Sequence, residues 1–225
     1  MLTPLLEIRP GLTAVIGSGG KTTLLRTLGR ELAEAGHRVL LCTTTKIFPL
    51  SDIETLISPD EKALSAALQQ RRLVCAGAPV PGVGKLQAPE IPMERLLEMA
   101  DYVIAEADGS AGKPLKAHAA HEPVIPTQTN NVICVAGLSG LGRPIGEAVH
   151  RPEIFAEIAG AQLTDPVTKE MLMTVLLHEF PNCRFLLNQA DDTPLWKQGK
   201  TMAQRMDRPV VVASLQKGVY DQCSL

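Results

Sequence analysis

The chain has 225 residues, 45% of them hydrophobic and 20% charged, and its 22 Lys and Arg against 24 Asp and Glu leave a formal charge of -2. That balance excludes a disordered or collagen-like chain and offers no basic stripe for a phosphate backbone, so nucleic-acid partners are not expected. Glu7 and Arg9 interrupt the N-terminal apolar residues before a secretory core can form. No apolar run reaches the roughly 18 residues of a membrane helix, so a cytoplasmic location without a membrane partner is expected.

Aromatic residues make up only 3% of the chain, which leaves Leu, Ile, Val, Ala and Met to fill the core. The cysteines Cys42, Cys75, Cys134, Cys183 and Cys223 form no C-x-x-C pair. Four of them lie in apolar runs, where Cys acts as a small buried hydrophobe in a reduced chain.

Short apolar, β-branched runs recur at Thr13 to Gly17, Val39 to Thr43, Leu73 to Gly77, Tyr102 to Glu106, Val132 to Ala136, Phe185 to Asn188 and Pro209 to Ala213. Runs of this kind read as strands buried on both faces. Helical periods lie between them. Leu25, Leu28 and Leu32 precede Gly36, and Ala63, Leu64, Ala67 and Leu68 follow a Ser58-Pro59-Asp60-Glu61 capping box. A third helix is expected after Asp165-Pro166, through Met171, Leu172, Val175 and Leu176 towards Phe180. Residues Ala78 to Pro92 and Ser110 to Asn130 lack periodicity and read as long loops.

Strand and helix in repeated alternation imply an α/β, three-layer architecture with a mostly parallel sheet of about seven strands. No linker composition divides the chain, so residues 1–225 are expected to form a single domain.

The functional signal begins with Gly17, Ser18, Gly19, Gly20, Lys21, Thr22 and Thr23, placed after a strand and before a helix. In that context glycines let successive N–H groups converge on phosphate oxygens, the helix terminus adds positive potential, Lys21 supplies a point charge and Thr22 an oxygen for Mg²⁺. The usual glycine six positions before the lysine is Val15 here, so the loop is a shortened form. Next, Tyr102 to Glu106 runs into Ala107, Asp108 and Gly109, an apolar strand ending in two carboxylates, as in a Walker B element. Either acid suits a metal or an attacking water. The assignment adopted is Asp108 with Thr22 for Mg²⁺ and Glu106 for water, with Lys21, Glu106 and Asp108 as the catalytic set.

On a late strand, Asn188-Gln189-Ala190-Asp191 follows the Asn-Lys-x-Asp pattern of guanine recognition except at Gln189. The Asp carboxylate accepts from the two donors on guanine that adenine lacks, and the Asn ties neighbouring loops together. GTP and ATP both remain open. Thr43-Thr44-Thr45-Lys46 ends the second strand at the edge where α/β folds collect ligands. Lys113, Lys116, His121 and Arg151 are candidate contacts for an acidic acceptor, the His118 and His121 pair a candidate for metal or substrate, and His150 with Arg151 a candidate cation for an anionic ligand.

In order along the chain, the glycine loop, Thr43 to Lys46, Glu106 to Gly109, Lys113-Pro114-Leu115-Lys116 running into His121-Glu122-Pro123, His150 to Glu153 and Asn188 to Asp191 together resemble the YqeC family. That family comprises accessory proteins of selenium-dependent molybdenum hydroxylases. The resemblance implies a small P-loop NTPase acting near maturation of such an enzyme or its cofactor. The Glu106 to Gly109 segment is also similar to that of the metallochaperone branch of GTPases. Expected ligands are therefore Mg²⁺ and a nucleoside triphosphate, with a molybdenum hydroxylase or its cofactor as partner. Two alternatives stand beside hydrolysis: a kinase or ligase acting on a small acid, and a protein that holds nucleotide or a pterin cofactor without turnover.

Overall fold

A computed structural model describes residues 1–223, the side chain of Cys223 excepted. Its elements in chain order are α1 (Leu2–Leu5), β1 (Gly11–Gly17), α2 (Lys21–Glu34), β2 (Val39–Thr43), β3 (Thr55–Ile57), α3 (Glu61–Arg71), β4 (Leu73–Val80), β5 (Lys85–Gln87), α4 (Met93–Met99) and β6 (Tyr102–Glu106). There follow β7 (Leu115–Lys116), β8 (Thr129–Gly137), α5 (Ile145–Ala148), β9 (Val149–His150), α6 (Pro152–Ala159), α7 (Lys169–Glu179), β10 (Arg184–Asn188), α8 (Thr193–Arg205), β11 (Val210–Ser214) and β12 (Val219–Cys223).

The fold is α/β, with a large and mostly parallel sheet of ten strands. The seven expected strands are β1, β2, β4, β6, β8, β10 and β11. The additional three, β3, β5 and β12, are short or largely exposed and lack the apolar run that marks a strand buried on both faces. The loop expected over Ala78 to Pro92 instead begins with the end of β4 and turns into an antiparallel pairing with β5. Likewise, the expected loop from Ser110 contains β7, paired in parallel with β9.

Contacts divide the chain into two compact units interleaved in sequence. The first comprises Met1–Val15, Leu24–Asp108 and Val124–Val132; the second comprises Ile16–Thr23, Gly109–Pro123 and Ile133–Leu225. In the first unit the parallel order is β1-β6-β2-β4-β3, with β5 antiparallel on β4. A core of Leu12, Leu40, Cys42, Val74, Val103 and Ala105 packs against Leu64 and Leu68 of α3 and Leu96 of α4. Burial pushes the Cys75 thiol up to about 11 and that of Cys42 higher still, the behaviour of inert core cysteines.

In the second unit β8, β10 and β11 are parallel, and β12 closes the edge antiparallel to β11. Phe155, Leu172, Val175, Phe185 and Met202 are buried there.

Two helix starts differ from expectation. Asp60, not Ser58, caps α3, accepting from the Ala63 N–H at 2.7 Å. The helix expected after Asp165-Pro166 begins at Lys169 with Thr168 as cap, because Asp165 turns back to accept from the Gln162 N–H at 2.8 Å. A free carboxylate that finds a nearer N–H is lost as a helix cap. No helix among the described residues is long and apolar enough to cross a membrane.

Candidate functional site

In the second unit β1 runs on to Gly17 and α2 begins at Lys21, so only Ser18, Gly19 and Gly20 lie between strand and helix. The shortened loop follows from this: Val15, where a longer loop would carry glycine, is a buried residue of β1. Gly17, Gly19 and Gly20 have φ of 88°, 84° and 131°, a region that disfavours any residue with a Cβ. Space forbids one as well. A Cβ on Gly19 would lie 2.5 Å from the Gly137 nitrogen and 2.7 Å from the Pro114 oxygen, and one on Gly20 would strike the Asn188 amide.

Lys21 is buried, at 4% exposure, and its Nζ donates to the Gly17 carbonyl at 2.7 Å. The Ser18 N–H donates to Val135 O at 2.8 Å, and the Ser18 hydroxyl donates to the Lys113 carbonyl. Pro114 O in turn accepts from the Gly137 N–H at 2.9 Å. The backbone of Lys113 and Pro114 thus forms a wall of the glycine loop, a role that no local sequence signal announces.

Asn188 closes the other side. Its amide donates to Gly19 O at 2.8 Å and its oxygen accepts from the Leu215 N–H at 3.0 Å, joining the glycine loop to the turn after β11. In that turn Ser214 donates to Asp191 Oδ1 at 2.5 Å and Lys217 Nζ donates to the Asp191 carbonyl at 2.5 Å. Gln189 adopts a φ of 61° and accepts from the Ser139 hydroxyl at 2.5 Å. Asn188 and Asp191, singled out in the sequence, thus lie on either side of this turn's contacts. Ser139 and Lys217, which hold Gln189 and the Asp191 carbonyl, belong to no sequence motif.

The basic residues of the 109–123 segment have separate duties. Lys116, its side chain fully buried, donates to Gly109 O at 2.5 Å and pairs with Glu122 Oε2 at 2.7 Å. Arg151 binds the same carboxylate with Nη2 at 2.9 Å and Nε at 3.2 Å. Burial alone would raise the Glu122 carboxyl, but hydrogen bonds from Arg151 and then Lys116 bring it down to about 2. His118 and His121 do not converge: His118 Nδ1 meets Glu179 at 2.9 Å, while His121 lies 3.4 Å from Arg151. Among the described residues no group of three or more His, Cys, Asp or Glu gathers as a metal site.

Glu106 and Asp108 belong to the first unit, and both are buried. Glu106 pairs in register with Val15 on one side and Thr43 on the other. The Thr43 hydroxyl donates to Glu106 O at 2.8 Å and accepts from the Thr45 N–H at 2.9 Å, while Thr44 donates to Val124 O at 2.7 Å. The hydroxyls of Thr43 and Thr44 therefore brace backbone. Lys46 is exposed.

Fold and site together define an α/β protein with a Gly-Gly-Lys-Thr loop between a buried strand and a 14-residue helix. The chain belongs to the YqeC family: the family pattern described as YqeC protein matches residues 13–153. Consistent with that membership, YqeC of Escherichia coli (strain K12) is 38% identical over 184 residues, covering 79% of this chain and 71% of that protein. Among solved structures, HypB from Helicobacter pylori in complex with nickel is similar at 12% identity with a TM-score of 0.28, covering 87% of each chain. A likeness at that level transfers neither fold nor chemistry.

Proposed function

We propose that the second unit binds a nucleoside triphosphate, GTP or ATP, together with Mg²⁺, and that the protein hydrolyses it slowly. One observation carries the reading: a loop whose three glycines hold positive φ and leave no room for a Cβ, with the buried ammonium of Lys21 folded onto it. Backbone in this conformation turns successive N–H groups to one side, making an anion cradle at the head of a long helix. The residues fit a phosphate chain, and the Thr22 hydroxyl is a hard oxygen of the kind Mg²⁺ takes alongside phosphate oxygens. Bound Mg²⁺ would neutralise charge building on the phosphates.

In this reading Lys21 and N–H groups of the Gly17 to Thr23 loop hold phosphate oxygens, except that of Ser18, which is spent on Val135 O. Asn188 fixes the loop to the turn after β11, and Asp191, oriented by Ser214, faces the base. The assignments of Asp108 to the metal and Glu106 to the attacking water rest on the sequence pattern. The resemblance of the motifs further supports action on a molybdenum hydroxylase or its cofactor during maturation.

The transfer of phosphate to an acid held by Lys116 and Arg151 is disfavoured, since both cations are already committed to Glu122. A nucleotide holder without turnover differs from this proposal in one readout, multiple-turnover phosphate release from GTP or ATP with Mg²⁺.

The test is thermal unfolding of wild type and Lys21→Ala with GTP, ATP and their diphosphates, with and without Mg²⁺. A ligand present at 100 times its Kd stabilises the native state by about 2.7 kcal/mol. Wild type should show that shift with at least one triphosphate, and Lys21→Ala should show none. An equal response from both proteins overturns the proposed site.

A further inference from the structure

The basic side chains of the 109–123 segment and its neighbour Arg151 are not equally available to a ligand. Lys116 and Arg151 both bind a mostly buried carboxylate, and drawing either away would break one of its ion pairs, a costly step for buried charges. His121 lies at the Arg151 end of the same cluster. Lys113 stands apart. Its ammonium donates to the Glu147 carbonyl at 2.7 Å, and among the described residues it pairs with no carboxylate.

Its backbone is held against the glycine loop. The Lys113 carbonyl accepts from the Ser18 hydroxyl, the next carbonyl accepts from Gly137 N–H at 2.9 Å, and the Lys113 N–H closes a turn onto Ser110 O at 3.0 Å. Ala111 and Gly112, with φ of 48° and 72°, form that turn. A flexible four-carbon stem is thus anchored on the wall of the loop, with its charge parked on a single neutral acceptor.

We propose that Lys113 is a second cation of the phosphate site, which leaves the Glu147 carbonyl and binds an oxygen of the terminal phosphate. The proposal rests on the nucleotide reading above and adds a residue to the same site. Exchanging a neutral carbonyl for an anionic phosphate oxygen sets opposite charges in contact, where the ammonium now meets only a dipole. A diphosphate lacks that oxygen, so Lys113 distinguishes the two nucleotide states.

The experiment is calorimetric titration of wild type, Lys113→Met and Lys113→Arg with the β,γ-imido analogues of GTP and ATP, and with GDP and ADP, all with Mg²⁺. Lys113→Met should weaken binding of the preferred imido-triphosphate about tenfold or more. It should leave diphosphate affinity unchanged, and Lys113→Arg should regain most of the loss. Unchanged triphosphate affinity in Lys113→Met overturns the proposal and would leave Lys113 to a separate acidic acceptor. An equal loss for diphosphate and triphosphate also overturns it, by assigning Lys113 a structural role. A wild type that binds none of the four ligands overturns the nucleotide reading itself and this inference with it. Should Lys113→Met not fold, Lys113→Gln makes the same comparison.

Discussion

Replacing Glu122 by Gln removes the anion between Lys116 and Arg151 while keeping the side chain's shape. Glu122 is 15% exposed and receives Lys116 Nζ at 2.7 Å and Arg151 Nη2 at 2.9 Å. Its carboxyl lies at about 2 rather than its ordinary 4.5: burial would raise it, but the hydrogen bonds from Arg151 and Lys116 outweigh burial. At about 1.4 kcal/mol per pH unit, that gap corresponds to about 3 kcal/mol of native-state stability at neutral pH, and residual wetting reduces it to about 2. Breaking a buried ion pair by removing one partner costs about 3–5 kcal/mol, which agrees in order of magnitude.

The sign of the pH dependence follows from the depressed carboxyl. The contribution is fully present above about pH 4.5 and is lost as pH falls towards about 2. Urea unfolding of wild type and Glu122→Gln across that range should therefore show a difference of about 2–3 kcal/mol at pH 7 that narrows steadily below about pH 4.5. Other depressed carboxyls, such as Asp101 beside Arg38, titrate in both proteins and cancel in the difference. A difference under about 0.5 kcal/mol at pH 7, or one that persists unchanged in acid, would refute the argument that this carboxylate is held ionised by its two cations.

Two further substitutions probe the site. Gly19→Ala places a methyl group against the Gly137 backbone and Pro114 O at a φ of 84°, and should lower stability by about 2 kcal/mol or more in urea unfolding. A neutral result would mean that the loop is not packed as described. Asp191→Asn turns an acceptor-only group into one that also donates, and should reduce affinity for GDP about tenfold while leaving ADP affinity within twofold. Equal effects on both nucleotides in calorimetry would show that Asp191 does not face the base.

The sequence by itself determined the seven main strands, because a strand buried on both faces must be a continuous apolar run, and it located the Gly17 to Thr23 loop because glycine and lysine at that junction have few other uses. The family, too, was legible from the order of motifs. It did not reveal β3, β5 or β12, which are held by pairing rather than by an apolar pattern of their own. Nor did it reveal which cations are spent: Lys113, Lys116, His121 and Arg151 look alike in sequence, and only the folded chain commits two of them to Glu122 and leaves one beside the glycine loop. The close fit of Pro114 and Gly137 against Gly19 was equally hidden. Local patterns record which face of an element is apolar, whereas the pairing of charges and the approach of backbones depend on residues far apart in the chain, brought together only by the tertiary fold.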